Sequence, residues 1–315
     1  MVATAEIHAR EDAVLRGGCG LVDRSERGKL ALTGPQAKEF LQGQLTNDIE
    51  GLTVGEGCYA AFLDHKGKMQ GDLRVLDLGD ELWLDCERVA LQDLFNMIRR
   101  YKLGLAVELH KRTLECGLLS LIGPDARRIA AAGLPETEHA CARGELGGAA
   151  VVRVVTDLGV DVICAAEDVA RVRAQLEAAG AVPVSEAVAE VLRVESGRPR
   201  YGVDLDQTVI PQEAGLNERA VSFTKGCYVG QETVARLHYR GKPNRHLRGL
   251  RLSETAPSGA ELRRGEKVVG RLGSVVVSPR LGPIALALVR REAAPGERLA
   301  IEGSTASAEV VELPF

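Results

Sequence analysis

The chain has 315 residues, and 40 lysines and arginines against 44 aspartates and glutamates leave a formal net charge of −4. That length predicts two or three domains with a sizeable core, and the near balance of charge gives no reason to expect nucleic acid or an anionic membrane as the main partner. The polar, acidic stretch from Met1 to Asp12 and the lack of any run near about 18 apolar residues argue against a secretory leader and a membrane span. Seven cysteines lie scattered at 19, 58, 86, 116, 141, 164 and 227 without a CxxC pair. Such spacing suits reduced thiols in a cytoplasmic protein and offers no metal site.

In chain order, Lys29 to Thr33 reads as a strand, and Gly34-Pro35 opens a helix over Gln36 to Gln42 with Ala37, Phe40 and Leu41 inward. Proline is expected at the first helical position, where its missing N–H costs nothing. Leu118 to Ile122, Gly123-Pro124 and Asp125 to Ala132 repeat the pattern, with Ala126, Ile129 and Ala130 inward. The echo suggests two related strand–helix units in one α+β domain. Between them, Cys58 to Asp64, Lys68 to Leu78 and Glu81 to Cys86 read as strands joined by turns at His65-Lys66-Gly67 and Gly79-Asp80. Leu91, Leu94, Phe95, Ile98 and Tyr101 then form a helical stripe.

Val160 to Cys164 reads as a strand, Asp168 as the cap of a helix with Val169, Val172 and Leu176 inward, and Gly180 as its end. Glu186 to Glu195 is expected to be helical. After Gly241-Lys242-Pro243-Asn244 come β-rich runs at Leu247 to Leu252, Lys267 to Val277, Ile284 to Val289, Arg298 to Ile301 and Ala308 to Val311. They predict a C-terminal β-barrel or sandwich. The expected organisation is an α+β domain from residues 1–51 and 111–243, a β-rich insertion at 52–110, and a barrel domain at 244–315.

The segment Lys225-Gly226-Cys227-Tyr228-Val229-Gly230-Gln231-Glu232 is the most informative. A thiol reacts as its thiolate, which a neighbouring ammonium or helix N-terminus favours, and flanking glycines leave room for close approach. The alternative is an inert buried cysteine. Glu195 ends an apolar helix, where its carboxylate could take two parallel hydrogen bonds from an N–C–N edge or pair with Arg198 or Arg200. Asp72 interrupts an apolar strand, where aspartate is disfavoured. Asn47 and Asp48 have the composition of a turn. The basic run Arg236, His238, Tyr239, Arg240, Lys242, Arg245, His246 and Arg248 reads as a solvated hinge or as a contact for an anionic tail.

Together, Leu32-Thr33-Gly34-Pro35 through Phe40-Leu41-Gln42-Gly43-Gln44-Leu45-Thr46-Asn47-Asp48, Gly67 through Asp72-Leu73, Arg193-Val194-Glu195-Ser196-Gly197 through Tyr201-Gly202-Val203-Asp204, Pro211 to Leu216 and the cysteine segment resemble the folate-binding YgfZ family. That family is related to the glycine-cleavage T-protein (aminomethyltransferase). The resemblance covers nearly the whole chain, and the cysteine segment resembles the YgfZ signature most closely. It implies an α+β, T-protein-like fold of three modules in a ring around tetrahydrofolate or a one-carbon derivative. Contacts to folate would come from Glu195, Arg236, Asn47, Asp72 and Tyr201, and Cys227 and Asp72 would carry chemistry. Where T-proteins have paired aspartates this chain has Gly71-Asp72. The implied roles are an accessory protein for iron–sulfur client or assembly proteins, an aminomethyltransferase, or a ligand-free scaffold that docks a partner.

Overall fold

The computed structural model describes the backbone of residues 2–315 and the side chains from residue 7 onward. The chain divides into two compact units. The first comprises the described residues up to Phe62 with Gly71–Ala189 and Thr224–Val229; the second comprises Leu63–Gln70, Glu190–Phe223 and Gly230–Phe315.

The first unit opens with α1 (Val2–Gly17), β1 (Gly20–Asp23), β2 (Gly28–Thr33) and α2 (Ala37–Gln44). The long hairpin β3 (Gly57–Leu63) and β4 (Met69–Asp77) follows, then β5 (Leu82–Cys86), α3 (Leu91–Tyr101) and β6 (Glu108–Lys111). β2 to β6 form one sheet in the order β3-β4-β5-β2-β6, so β2, which precedes the expected insertion, lies inside its sheet. The remainder is β7 (Cys116–Ile122), α4 (Ala126–Ala130), β8 (Cys141–Leu146), β9 (Ala149–Val155), β10 (Gly159–Ala165), α5 (Val169–Ala178), β11 (Val182–Pro183) and the first turn of α6 (Glu186–Glu195). Their strands join β1 in a second sheet ordered β11-β1-β7-β10-β9-β8. Ala126, Ala130, Val172 and Leu176 from α4 and α5 pack in a core with Leu119, Leu121, Val160 and Val162 of this sheet.

The Gly-Pro echo is real, but its two copies serve different sheets, β2 in the five-stranded one and β7 in the six-stranded one. Neither helix starts at its proline: α2 begins at Ala37 and α4 at Ala126. The glycine carries the constraint. Gly34 has φ 107° and Gly123 φ 122°, and a Cβ at either would lie 2.2 Å from the Ala106 carbonyl oxygen or 2.5 Å from that of Gly18. Both turns therefore need a left-handed residue without a side chain.

Other local readings change for identifiable reasons. Asp168 precedes α5, but its carboxylate makes no capping bond and instead pairs with Arg171 one turn on. In α3, Leu94 and Ile98 are buried and Tyr101 is half exposed, because the inward stripe has rotated away by the last turn. The polar N-terminal stretch, read without structure from sequence, is the helix α1, where Asp12 and Arg16 pair at 2.8 Å across one turn.

The two sheets meet face to face, and strand alternation fixes which residues enter the layer between them. Leu76, Trp83 and Ala31 stand in one row across β4, β5 and β2 and pack with Leu118, Val152, Val154 and Ile163 of the other sheet. The next row is Arg74, Asp85 and Lys29. Arg74 is buried and donates to Asp85 at 2.8 Å and to Asp161 of β10 at 2.8 Å; Asp161 also accepts a 2.6 Å bond from Ser120 of β7. Arg27 reaches Asp85 from the far side at 3.2 Å. Burial by itself would raise the Asp85 pKa, but the two guanidiniums hold it below the usual carboxylate range.

The second unit holds the rest of α6, then α7 (Asn217–Ala220), α8 (Gln231–Arg240) and β12 (Arg245–Leu252), β13 (Glu261–Arg264), β14 (Lys267–Ser278), β15 (Gly282–Arg290), β16 (Arg298–Ile301) and β17 (Ser307–Val311). The six strands close into a barrel in the order β12-β15-β14-β13-β16-β17. Its core alternates large and small residues, with Leu250, Leu262 and Leu272 against Ala285, Ala287 and Ala308. Closure decides between the two architectures read from sequence, and β13, whose sequence Glu-Leu-Arg-Arg carries one apolar residue, is the strand that completes it. Of the basic run, read as a hinge or as a contact for an anionic tail, Arg236, His238, Tyr239 and Arg240 lie on α8 and Arg245, His246 and Arg248 on β12.

Removing Arg74 would take from the buried carboxylates of Asp85 and Asp161 the cation they share, leaving Asp161 with only a hydroxyl and Asp85 with Arg27. Arg74→Met should therefore cost about 3–5 kcal/mol of stability, read as a lowered urea midpoint with an unchanged slope.

Candidate functional site

In the first unit hydrogen bonds link Asp72 on β4 to Tyr59 on β3, Tyr59 to Asn47 and Asn47 to Lys225. Asp72 is 6 % exposed and accepts a 2.6 Å hydrogen bond from the Tyr59 hydroxyl on the neighbouring strand β3. Burial pushes its carboxyl up to about 6; the Tyr59 bond and Arg27 act in the other direction, and the negative charge of Glu87 adds to the rise. A carboxyl so placed exchanges its proton close to neutrality, which an exposed aspartate does not.

Gly71 points to the opposite face. A Cβ there would lie 2.5 Å from the Phe62 ring and 2.8 Å from the Ala90 side chain. Phe62 and Ala90 are both buried, so an aspartate at 71 has no space and would not stand beside Asp72.

Asn47 follows α2. Its side-chain amide donates to the Tyr59 carbonyl at 2.8 Å, and its side-chain oxygen accepts from the Asp48 N–H at 2.9 Å. Lys225 ties the cysteine segment to the same place. Its ammonium donates to the carbonyls of Gln42, Leu45 and Asn47 at 2.6, 2.7 and 2.8 Å. The carbonyls of Gln42 and Leu45 belong to the C-terminal end of α2, where the dipole favours a cation, and that of Asn47 to the turn that follows. The lysine expected to activate the thiol is thus engaged with backbone, and it also lies 5.1 Å from the centre of the Tyr228 ring. Val229 N–H donates to the Gly43 carbonyl at 3.2 Å, fixing the segment a second time. Between these anchors Gly226 has open space around it, and Cys227 is exposed.

That exposure sets Cys227 apart. Cys19, Cys86, Cys141 and Cys164 are buried, and Cys58 and Cys116 are partly covered. Burial raises Cys58 and Cys86 to about 12 and Cys19, Cys141 and Cys164 to about 11. Such thiols stay protonated and poorly nucleophilic at neutral pH. Among the described residues no group of three or more His, Cys, Asp or Glu is placed to hold a metal ion, and no helix is long and apolar enough to cross a membrane.

In the second unit Glu195, the last residue of α6, is 9 % exposed. Its carboxylate accepts a 2.6 Å bond from the Ser278 hydroxyl at the end of β14. Arg200 pairs with Glu190 at 3.1 Å, and Arg193 reaches Asp204 at 3.0 Å. Asp204 in turn accepts from the Ser274 N–H at 2.7 Å and joins α6 to the barrel. Tyr201 is buried in the short bridge to Leu205. Arg236 is exposed on α8, and Phe223 stacks on His238 at 3.7 Å with Tyr239 edge-on. Gln231 and Glu232 form the first turn of α8, and Gly230, with φ 84°, precedes it. A Cβ at Gly230 would lie 2.5 Å from the Asp64 carbonyl oxygen and 3.1 Å from the Gly67 Cα, so this glycine serves contact with the tip of the β3–β4 hairpin.

Tyr59 and Ser278 went unnoticed in the sequence. Tyr59 had one available signal, its place on the strand expected to pair with that of Asp72; Ser278 had none, being 83 residues from its partner.

Residues 3–225 match the GCVT N-terminal domain and residues 245–315 the glycine cleavage T-protein C-terminal barrel domain. The chain belongs to the glycine cleavage T-protein family. It is 30 % identical to an aminomethyltransferase of Rubrobacter xylanophilus, over all of this chain and 87 % of that protein. It is 27 % identical to a chloroplastic protein of Arabidopsis thaliana provisionally named a transferase, over 95 % of this chain and 71 % of that one. The crystal structure of the glycine cleavage system aminomethyltransferase T from Bartonella henselae superposes with a TM-score of 0.86 at 24 % identity, over 98 % of this chain and 89 % of that one. The fold is therefore T-protein-like, with an α+β N-terminal part and a closed six-stranded C-terminal barrel.

Because the thiols other than Cys227 are covered, native protein treated with a chromogenic disulfide at neutral pH should show a single fast-reacting thiol. Cys227→Ala should abolish that phase and leave only the slow one.

Proposed function

We propose that this protein binds tetrahydrofolate or a one-carbon derivative of it and acts as a YgfZ-type accessory in the assembly or repair of iron–sulfur proteins. The observation that carries this reading is the presentation of Cys227: an exposed thiol on a segment fixed on one side by Lys225 to three carbonyls and on the other by Val229 to Gly43. A pinned backbone carrying an exposed thiol suits a side chain that must meet a second molecule, which a core cysteine cannot do. Iron–sulfur client or assembly proteins are the partners this reading requires.

The chain's residues fit folate chemistry. Glu195 is a buried carboxylate that accepts a hydrogen bond from Ser278, and a carboxylate is the kind of group that takes two parallel bonds from an N–C–N edge. Folate, when bound, supplies or accepts a one-carbon unit. For the first unit this reading gives Asp72 the holding or acceptance of a proton, with Tyr59 keeping its carboxyl in place and Asn47 as a contact; for the second it gives Glu195 the orientation of the ligand, with Tyr201 and Arg236 as contacts.

A second reading, aminomethyl transfer to tetrahydrofolate, is favoured by Asp72 itself. A carboxyl that titrates near neutrality under a tyrosine hydroxyl is a suitable proton acceptor, and transfer needs one. Asp72 must be ionised to accept a proton, so turnover with an aminomethyl-loaded lipoyl carrier protein would rise with pH through about 6.

Calorimetric titration with tetrahydrofolate tests the common part. Glu195→Gln should weaken binding at least tenfold, about 1.4 kcal/mol, and an unchanged affinity would remove Glu195 from the site. To separate the two roles, Cys227→Ala should leave folate binding intact while iron–sulfur enzyme activity falls in cells that depend on this protein. Undiminished iron–sulfur enzyme activity, together with carrier-dependent turnover, would favour the transferase reading.

A further inference from the structure

The inter-sheet face of the five-stranded sheet is graded along its strands. The row of Leu76, Trp83 and Ala31 is apolar, and the row of Arg74, Asp85 and Lys29 is ionic. The ladder pairing ends at Arg74 with Asp85 and at Gly28 with Cys86; carried on by strand alternation beyond those ends, the next row would be Asp72, Glu87 and Arg27. The contacts agree: Arg27 pairs with Glu87 and, through its other nitrogens, with Asp85 at 3.2 Å. A buried carboxylic acid on β4 thus lies one row beyond the ionic row, toward a second carboxylate, Glu87, that Arg27 pairs.

We propose that Glu87 and Arg27 are positioning residues for Asp72, setting through their opposite charges the pH at which its carboxyl ionises. The geometry supplies the reason. Glu87 is next to Asp72 in the row and opposes a second negative charge there; Arg27 neutralises Glu87 and Asp85 together and so limits that opposition. Among the described residues the Tyr59 hydroxyl of β3 also meets Asp72, and Cys86 of β5, on the other face of its strand, is pushed up to about 12 by burial and is hence uncharged. Arg74, two residues along β4, is bound to Asp85 and Asp161. Its charge is matched there. The balance around Asp72 is left to Glu87 and Arg27, and Arg27 and Glu87 each act on its carboxyl in the sense that the row requires.

Two features suit this pair to a tuning role. Both side chains are about three-quarters covered, at 23 % and 25 % exposure, so their fields are only partly screened by water. Both also lie just outside the ends of their strands, since β2 begins at Gly28 and β5 ends at Cys86. They can be replaced without breaking a ladder hydrogen bond. The role of Asp72 as proton acceptor rests on the function proposed above; the electrostatic coupling does not.

The test is the titration of the Asp72 carboxyl carbon by NMR in protein labelled at aspartate Cγ, with the resonance assigned by its loss in Asp72→Asn. Glu87→Gln should lower the midpoint and Arg27→Gln should raise it, each by at least about 0.5 pH unit, while Arg27→Lys should return it close to the starting value. Tyr59→Phe, which removes a bond to the ionised form, should raise it as well. Opposite shifts for Glu87→Gln and Arg27→Gln support the proposal; a midpoint that moves by less than about 0.2 pH unit in Glu87→Gln overturns it. Glu87→Gln keeps the side-chain shape, so this arm does not depend on the tolerance of the Asp85 site to loss of Arg27. Tetrahydrofolate titrations of the same proteins at pH 5 and pH 8 address the proposed function separately. Shifted midpoints without folate binding would leave the coupling standing and remove the folate reading.

Discussion

Arg74 sits between two sheets with a carboxylate on either side, Asp85 from its own sheet and Asp161 from the other. Three charges at that depth are tolerable because each finds partners: Arg27 and Arg74 on Asp85, Ser120 and Arg74 on Asp161. An apolar layer can slide by small amounts at little cost. A guanidinium bound to two opposing carboxylates cannot, since displacement leaves a buried charge without a partner. This contact therefore sets the register of one sheet against the other, and the position of everything built on β4 and β5 follows from it.

Asp72 is two residues from Arg74 on the same strand and inherits that placement. It is held from β3 by Tyr59, whose carbonyl is held by Asn47, whose own carbonyl accepts from Lys225. A set of hydrogen bonds thus runs from the buried carboxyl through Tyr59 and Asn47 to the ammonium of Lys225 in the cysteine segment. The same lysine satisfies carbonyls at the end of α2 that have no helical partner, so one side chain terminates a helix and fixes a loop. In the second unit, the Asp204 cluster and the Glu195–Ser278 bond do comparable work, securing the last turns of α6 to the barrel.

Much of this arrangement was legible in the chain and some of it could not be. Strand alternation exposed Asp72, because an aspartate among apolar strand residues needs a reason, and helix periodicity placed Glu195 at the end of α6. Alternating runs with Pro/Gly breaks marked most of the barrel. What the sequence concealed has a common cause. Lys225 binds backbone carbonyls between 178 and 183 residues away, and carbonyls carry no residue identity to read. Side-chain chemistry suggested instead that the lysine would serve the adjacent thiol. Gly230 was expected to make room for another molecule, whereas its missing Cβ makes room for the chain's own hairpin. The basic run, which suggests a hinge or a contact for an anionic tail, hides a helical periodicity because only one residue of α8, Val234, is buried.

The chain contains one tryptophan, and it lies in the graded layer, buried on β5 in the row directly before Arg74 and Asp85. Its indole N–H finds no acceptor among the described residues. Tryptophan fluorescence, excited on the red edge where tyrosine does not absorb, therefore originates at one place, a few residues along the sheet from the ionisable carboxyl. Indole emission responds to nearby charge, so the molecule carries its own optical gauge of the layer that positions Asp72, readable without any label.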